Sequence, residues 1–478
     1  MNLRPLLHTL FGIALLTSMP SSAADLRELR REVAEYMRQA NVPGLTIAAS
    51  QNGHILWKAG YGWADRERHI AATPETPFFV ASVTKSITAT AIMQLNERRV
   101  IALDQPVNAY LGNAKVHSPR WNVSETTVRR VMSHTGGLTT FSRWCPPSST
   151  ACNIDEEIEQ YGVVVWPPGR VFDYSNLGYG ILGRVIERTT GETLDEYFQK
   201  AIFLPLGMRH CGITVTAGTA AQYDQTTDAR SAERVSGHPG ATGLHCSAAD
   251  LLRFGSFELH EGVAPQSLPN TRDIRVMQHP EPATHDQYGL GWWVQERGGI
   301  EVISAQGGTT DSYAILEIVP KEHIVVVVIA NSYSPFVSGL ADRILTKLLP
   351  SATPSSARAS VQSHAAPAPM GTWTGEIDTT NGAIPLSLRI NADGSASASV
   401  GGAAPVVLTN VSAKPTHFYG ELSGNDSIPD APHLYVLDLD LAIHGDEMIG
   451  AATTTPPPGH DGDQLPHWTD LVRQGAAH

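Results

Sequence analysis

"VASVTKSITATAIMQLNERR", residues 80–99, sets a small hydroxyl residue, Ser82, three positions ahead of Lys85. Behind the pair, apolar residues keep helical spacing, so the stretch predicts a buried helix over 82–99. Ser82 and Lys85 then share one helical face. At a helix N-terminus the Ser82 Oγ sits where unpaired N–H groups and the positive dipole end favour developing negative charge. A desolvated lysine beside it has a lowered pKa and can take the serine proton. Alone, the pair is read as well by packing, since roughly one such match is expected by chance in a chain this long.

Outward from this helix, the chain begins with helical spacing over 25–40. An alternating stretch, 44–65, follows with Asn52-Gly53 in its middle, the signature of a hairpin. A mostly helical stretch runs to about residue 260. Strands then return as "YGLGWWVQE", "IEVISAQGG", "YAILEIVP" and "HIVVVVIAN", and a helix over about 335–349 closes this part. Strands at both ends with helices between predict one sheet built from both ends of the region. Residues 351–369, rich in Ala, Ser and Pro, read as a linker. From 370 to 478, short alternating strands predict a small all-β barrel or sandwich.

The 478 residues carry a formal net charge of -13 and no basic run, which argues against a nucleic-acid-binding surface. The N-terminus has a basic residue, Arg4, an apolar stretch and then Ser22-Ala23-Ala24. That order predicts a signal peptide over 1–24 and a periplasmic or secreted protein. The apolar run is too short to span a bilayer, so no stable membrane insertion is expected. An oxidising compartment allows disulfides among Cys145, Cys152, Cys211 and Cys246. Cys145 and Cys152 flank a short loop and can close it, leaving Cys211 with Cys246; the sequence fixes no connectivity. Their spacing suits no zinc site.

Two further places carry chemistry. In "PGRVFDYSNLGYGILG" (168–183), Tyr174 and Asn176 stand just ahead of an apolar helix. A tyrosine serves as general base or acid where cations lower its pKa, and the Asn176 amide can bind a polar group on an acyl substrate. In "ISAQGGTTDSY" (303–313), Gly307 and Gly308 end a strand, let a substrate backbone approach closely, and offer an N–H to complete an oxyanion hole with Ser82. Each is an ordinary turn when taken singly. His134, in "MSHTGGL", reads as a structural turn residue. There is no G-x-S-x-G, H-E-x-x-H or P-loop.

Together, and in this order, the three places resemble the serine β-lactamase and penicillin-recognising family. The likeness is to the branch with class C β-lactamases, D-Ala-D-Ala carboxypeptidases, D-aminopeptidases and β-lactamase-fold esterases. "TPFFVASVTKSITATAIMQLNE", "LDQPVNAYLG", "VMSHTGGL", "PGRVFDYSNLGYGILGRVIERTTG", "PLGM" and "YGLGW" carry it across residues 30–350. The resemblance implies an α/β (α+β) fold, an antiparallel sheet flanked by helices with a helical subdomain over 25–350. It makes Ser82 the acylated nucleophile, Lys85 its proton-handling partner, Tyr174 a shared base and acid, and Asn176 a substrate-positioning residue. No metal or organic cofactor is implied.

The third motif departs from the family's Lys-Thr-Gly or His-x-Gly. In the preferred register, Gln306-Gly307-Gly308 is the triplet and Thr309 gives the oxyanion N–H; a shift of one puts Ala305 at the cation position and Gly308 at the N–H. Either way the cation is missing, which argues for ester, amide or amino-terminal peptide substrates over β-lactams. The expectation is an exported serine hydrolase cleaving a peptide or amide, including D-residue bonds, or an ester. Weak β-lactamase activity and a non-catalytic wall- or β-lactam-binding sensor are the alternatives. The tail from 371 resembles the lipocalin-like domains that follow some of these proteins and is expected to shape the entrance or a homo-oligomer contact.

Overall fold

The run Ile324–Ala330, IVVVVIA, is buried along its whole length. Val325, Val327 and Ile329 enter one core, while Val326, Val328 and Ala330 enter another. That alternation is what a central strand with both faces covered requires. The computed structural model describes residues 22–39, 42–146, 152–216, 218–260, 268–284, 287–349, 369–423, 428–429, 431, 435–457 and 463–475. Of the expected signal peptide, 1–21 lie outside the described residues, as do 351–368 of the expected linker.

In chain order the elements that build the site are α1 (Ser22–Gln39), β1 (Gly44–Gln51), β2 (His54–Asp65), β3 (Ile70–Ala71), α2 (Thr84–Glu97), α3 (Asn176–Thr190) and α4 (Ala248–Glu258). β4 (Trp293–Arg297), β5 (Ile300–Thr309), β6 (Ser312–Val319), β7 (Ile324–Ala330) and α5 (Leu340–Leu348) follow. The strands form one antiparallel sheet in the order β3-β2-β1-β7-β6-β5-β4, so both ends of the region meet at β1–β7. Asn52 and Gly53 both take positive φ, 51° and 73°, as a two-residue hairpin turn between β1 and β2 needs. One face of the sheet is covered by α1 and α5, with Leu29, Val33 and Ile344 packed on Ile47 and Val326. The other face meets α2, α4 and the helical part of the chain in the larger core.

The sequence expectation is off at two edges. The α-helix begins at Thr84, and Ser82 stands in a 3₁₀ turn, Ala81–Val83, ahead of it. "YGLGWWVQE" becomes strand only from Trp293, because Gly291 has φ 88° and folds the chain over α2. A side chain at Gly291 would collide with Ala89 and the Lys85 carbonyl.

The C-terminal part adds β8 (Gly371–Thr379), β9 (Gly382–Ile390), β10 (Ala396–Val400), β11 (Val406–Val407), β12 (Thr409–Lys414), β13 (His417–Ser423), β14 (Val436–His444), β15 (Glu447–Thr455) and β16 (Leu465–Arg473). They form a single antiparallel sheet, β11-β10-β9-β8-β16-β15-β14-β13-β12, a nearly closed barrel. Its two edge strands are joined in sequence by the buried Leu408. Trp373, Leu388, Leu439 and Leu441 fill its interior. Its outer face packs Ile449, Ala451 and Trp468 on Val165 and Trp166 of the preceding α/β part. Disulfides Cys145–Cys152 and Cys211–Cys246 are both formed. Among the described residues, no helix is long and apolar enough to cross a membrane.

Candidate active site

The turn carrying Ser82 is held on all sides. Ala81 takes φ 44°, a left-handed conformation that costs a non-glycine residue of order 1–2 kcal/mol. Three bonds offset it: Thr84 Oγ1 donates to the Ala81 carbonyl (2.6 Å), Leu244 N to Thr84 Oγ1 (3.1 Å), and Val80 N to the Leu244 carbonyl (3.0 Å). Behind it α2 is buried from Thr84 to Leu95, so its first turn cannot rotate away from its neighbours.

Lys85 is 1% exposed. Its Nζ lies 2.9 Å from Ser82 Oγ, 2.7 Å from Asn176 Oδ1 and 3.2 Å from the Ala241 carbonyl. Burial drives its pKa well below the ordinary lysine value. A neutral amine has two protons and one lone pair. Asn176 Oδ1 and the Ala241 carbonyl can only accept, so they take the two protons, and the lone pair is left facing the Ser82 hydroxyl.

Tyr174 lies over this pair, with Lys85 Nζ 4.7 Å from its ring centroid. Burial pushes its phenol up, an effect its hydrogen bond with Ser82 only partly offsets. It therefore stays a neutral phenol at rest. Trp293 stacks on it at 6.1 Å with rings 9° from parallel, and His134 lies at 4.2 Å. His134 braces the chain on both sides of Tyr174: its carbonyl accepts from Asp173 N (2.8 Å) and its Nδ1 from Ser175 N (3.0 Å). Burial lowers its pKa, so it is neutral with its proton on Nε2. Ser175 caps α3 through Gly178 N, which fixes Asn176 at the first helical position. The Asn176 Nδ2 donates to Ser142 Oγ at 2.9 Å.

β5 forms the opposite wall. A Cβ at Gly307 would strike Ser82 N and Val80 O, whereas one at Gly308 would meet only ordinary contacts at 3.5 Å. Gly307 thus admits the Ser82 turn rather than a substrate backbone. The two-residue turn at 310–311 makes Thr309 and Ser312 a mutually hydrogen-bonded pair. By alternation the Thr309 N–H faces β6, and those of Gly308 and Gln306 face the open edge beyond Ser304, where pairing with β4 ends. Strand geometry therefore favours the second register, with Gly308 at the N–H and Ala305, 4% exposed, at the cation position.

The cavity between these walls holds about 670 Å³ and is lined by Ser82, Tyr174, Gln225, Trp293, Gln306, Gly307, Gly308, Thr309, Thr310, Tyr313, Tyr333 and Ser338. None of these residues is charged. The structure thus brings Ser82, Lys85, Tyr174 and Asn176 into one cluster and sets residues 306–309 beside it. Ser142, Gln225, Trp293 and the Ala241 carbonyl escaped the sequence reading. Only Trp293, next to "YGLGW", stood near a quoted motif.

A serine–lysine–tyrosine cluster on an antiparallel sheet edge defines a class of acyl-transfer serine hydrolases. The Beta-lactamase family model matches residues 29–349, and the chain belongs to that family. The putative penicillin-binding protein PbpX of Bacillus subtilis (strain 168) is 27% identical over 272 residues, 55% of this chain and 65% of its own length. Protein flp of Staphylococcus aureus (strain N315) is 21% identical over 337 residues, 68% of this chain and 66% of its own. The chain thus spans about two thirds of the curated relatives it matches. Among solved structures, SurE aligns with a TM-score of 0.67 and 20% identity over 95% of this chain and 100% of its own. A class C beta lactamase from Rhodobacter sphaeroides aligns at 0.55 and 22% over 69% of this chain and 100% of its own.

Proposed function

We propose that the protein is an exported hydrolase that acylates Ser82 and cleaves an amide, peptide or ester bond in a substrate without a carboxylate beside the scissile group. The observation that carries the reading is the buried Lys85 amine, 2.9 Å from Ser82 Oγ with its two protons engaged elsewhere. Lys85 takes the Ser82 proton as Oγ attacks the carbonyl carbon. The N–H groups of Ser82 and Gly308 receive the oxyanion. The Tyr174 phenol protonates the departing nitrogen or oxygen, and the Lys85 ammonium returns a proton to Tyr174. Water then enters with Lys85 and Tyr174 again moving the proton, and the acyl group leaves as an acid. Asn176 holds Lys85 in place and offers its amide edge to the acyl group.

The uncharged cavity supports neutral acyl groups over β-lactams, whose carboxylate finds no cation among the lining residues. D-residue amides belong to the reading, since SurE, of the same fold over most of the chain, was solved with D-Leu. The two disulfides support an oxidising compartment. The test sets the protein and its Ser82→Ala variant against a p-nitrophenyl ester, a D-alanyl p-nitroanilide and nitrocefin. Repeated turnover of the ester or anilide, lost in the variant, is expected. An undecaying stoichiometric adduct on Ser82, or activity that survives in the variant, would overturn the mechanism, and nitrocefin as the best substrate would overturn the specificity.

A further inference from the structure

The C-terminal barrel reaches the catalytic cluster through the main chain. Ser142 and Gln464 form an antiparallel bridge: Gln464 N donates to the Ser142 carbonyl (2.8 Å) and Ser142 N to the Gln464 carbonyl (3.2 Å). One residue earlier, Asp463 Oδ1 accepts from Trp144 N at 3.1 Å, and its Oδ2 lies 3.4 Å from Arg143 Nε. One residue later, Leu465 is 2% exposed and sits in the core of the catalytic region, not in the barrel. On its other side Trp144 and Cys145 pair with Val235–Ser236, and Gly237 N donates to the Arg143 carbonyl at 2.9 Å, so the segment is gripped between this strand pair and residues 463–465.

Ser142 hands this placement on. Its Oγ takes the Asn176 Nδ2 proton at 2.9 Å, and Asn176 Oδ1 takes a Lys85 Nζ proton at 2.7 Å. With Nδ2 tied to Ser142 Oγ the far end of the amide is anchored, and its carbonyl end is held on Lys85.

We propose that Ser142 is a positioning residue for Lys85, and that residues Asp463–Leu465 of the C-terminal barrel set its place. The barrel is then part of the acylation centre rather than an appendage. This rests on the reading of Lys85 as the base. Because the link runs through backbone atoms, side-chain identity at 464 matters less than its N–H.

The test uses the full chain and two readouts. One is the pH dependence of kcat/KM for p-nitrophenyl acetate. The other is the titration of Lys85 by ¹³Cε NMR, assigned with Lys85→Arg, which needs no turnover. In Ser142→Ala, Lys85 loses its carbonyl acceptor for part of the time, and a carbonyl favours the ammonium form. The Lys85 titration and the acid limb of the profile are therefore expected to move down by about half a unit to one unit. At the parent's optimum kcat should fall about ten-fold with KM little changed, the pattern of a misplaced proton acceptor. Ser142→Thr, which keeps the hydroxyl, should restore most of both. Gln464→Pro removes the donated N–H and should reproduce the loss, and Gln464→Ala should reproduce less of it. Where Gln464→Pro does not fold, Asp463→Ala, which releases Trp144 N and Arg143, takes its place. An unmoved Lys85 titration in Ser142→Ala overturns the proposal, as does equal loss in Gln464→Ala and Gln464→Pro. Those results leave the acyl-enzyme reading standing, since that one falls on an undecaying Ser82 adduct or on activity that survives in Ser82→Ala.

Discussion

Gly307→Ala puts one methyl group where β5 meets the nucleophile turn. That carbon would arrive 2.5 Å from the Val80 oxygen and 3.0 Å from the Ala81 carbonyl carbon, and closer still to Ser82 N. Comfortable contact needs about 3.5 Å, so the strand and the turn must part by roughly 1 Å. Forced packing of this kind costs about 1–3 kcal/mol. The turn is anchored on Leu244 and cannot retreat freely, so the gap opens between Ser82 and the strand that carries Gly308. A misplacement near 1 Å is worth about 10²-fold in rate. The assay is kcat for p-nitrophenyl acetate together with a thermal melt. Gly308→Ala is the comparison, since its added carbon meets nothing closer than 3.5 Å and should leave the melt unchanged. A Gly307→Ala variant with the parent's kcat and melting temperature would refute the close-approach role assigned to Gly307.

Three further outcomes follow from the same structure. Lys85→Met keeps the volume and removes a buried amine, so it should lower kcat by about 10³-fold or more while the melting temperature holds or rises at pH 7, read by kinetics and a melt. Glu258 is buried against Thr90 and Gln278, and burial pushes its carboxyl up to about 8. Its unfolded value is near 4.3, so the folded state holds the extra proton between the two. The stability it supplies is complete below about 4.3 and is lost as pH rises through about 8. Glu258→Gln should therefore gain on the parent as pH rises from 5 to 9, by up to about 4 kcal/mol, in denaturant melts at each pH. Opening Cys211–Cys246, with 35 residues of separation, by a double serine substitution should cost about 3–4 kcal/mol, more than opening Cys145–Cys152, in the same melts.

Much of the architecture was legible because burial leaves a period. The unbroken β-branched run at 324–329 names a strand covered on both faces, and Asn52-Gly53 names the turn that joins β1 to β2. The Ser82–Lys85 pair was legible as a spacing and became chemistry only beside Tyr174 and Asn176. Other features leave no such trace. Gly307 and Gly308 look alike in sequence, and only the strand's alternation separates the one that admits the Ser82 turn from the one whose N–H faces the open edge. Ser142 is tied to Gln464 by main-chain atoms, which no side chain announces. The turn at Gly291 hid inside an apolar stretch that reads as strand, because its need for glycine comes from α2 passing underneath.

The pairing of Leu45 with Ala330 has a consequence for how the molecule comes into being. The first strand of the catalytic sheet finds its principal neighbour only when the last strand has been made. A nascent chain can build helices and the β1–β2 hairpin on the ribosome, but the middle of its sheet stays open until synthesis of the region is nearly finished. Such non-local closure is slow, and it leaves apolar strand edges bare meanwhile. A translation product stopped before β7 would therefore lack a stable core, and the protein should depend on holding factors during synthesis more than its ordinary composition suggests.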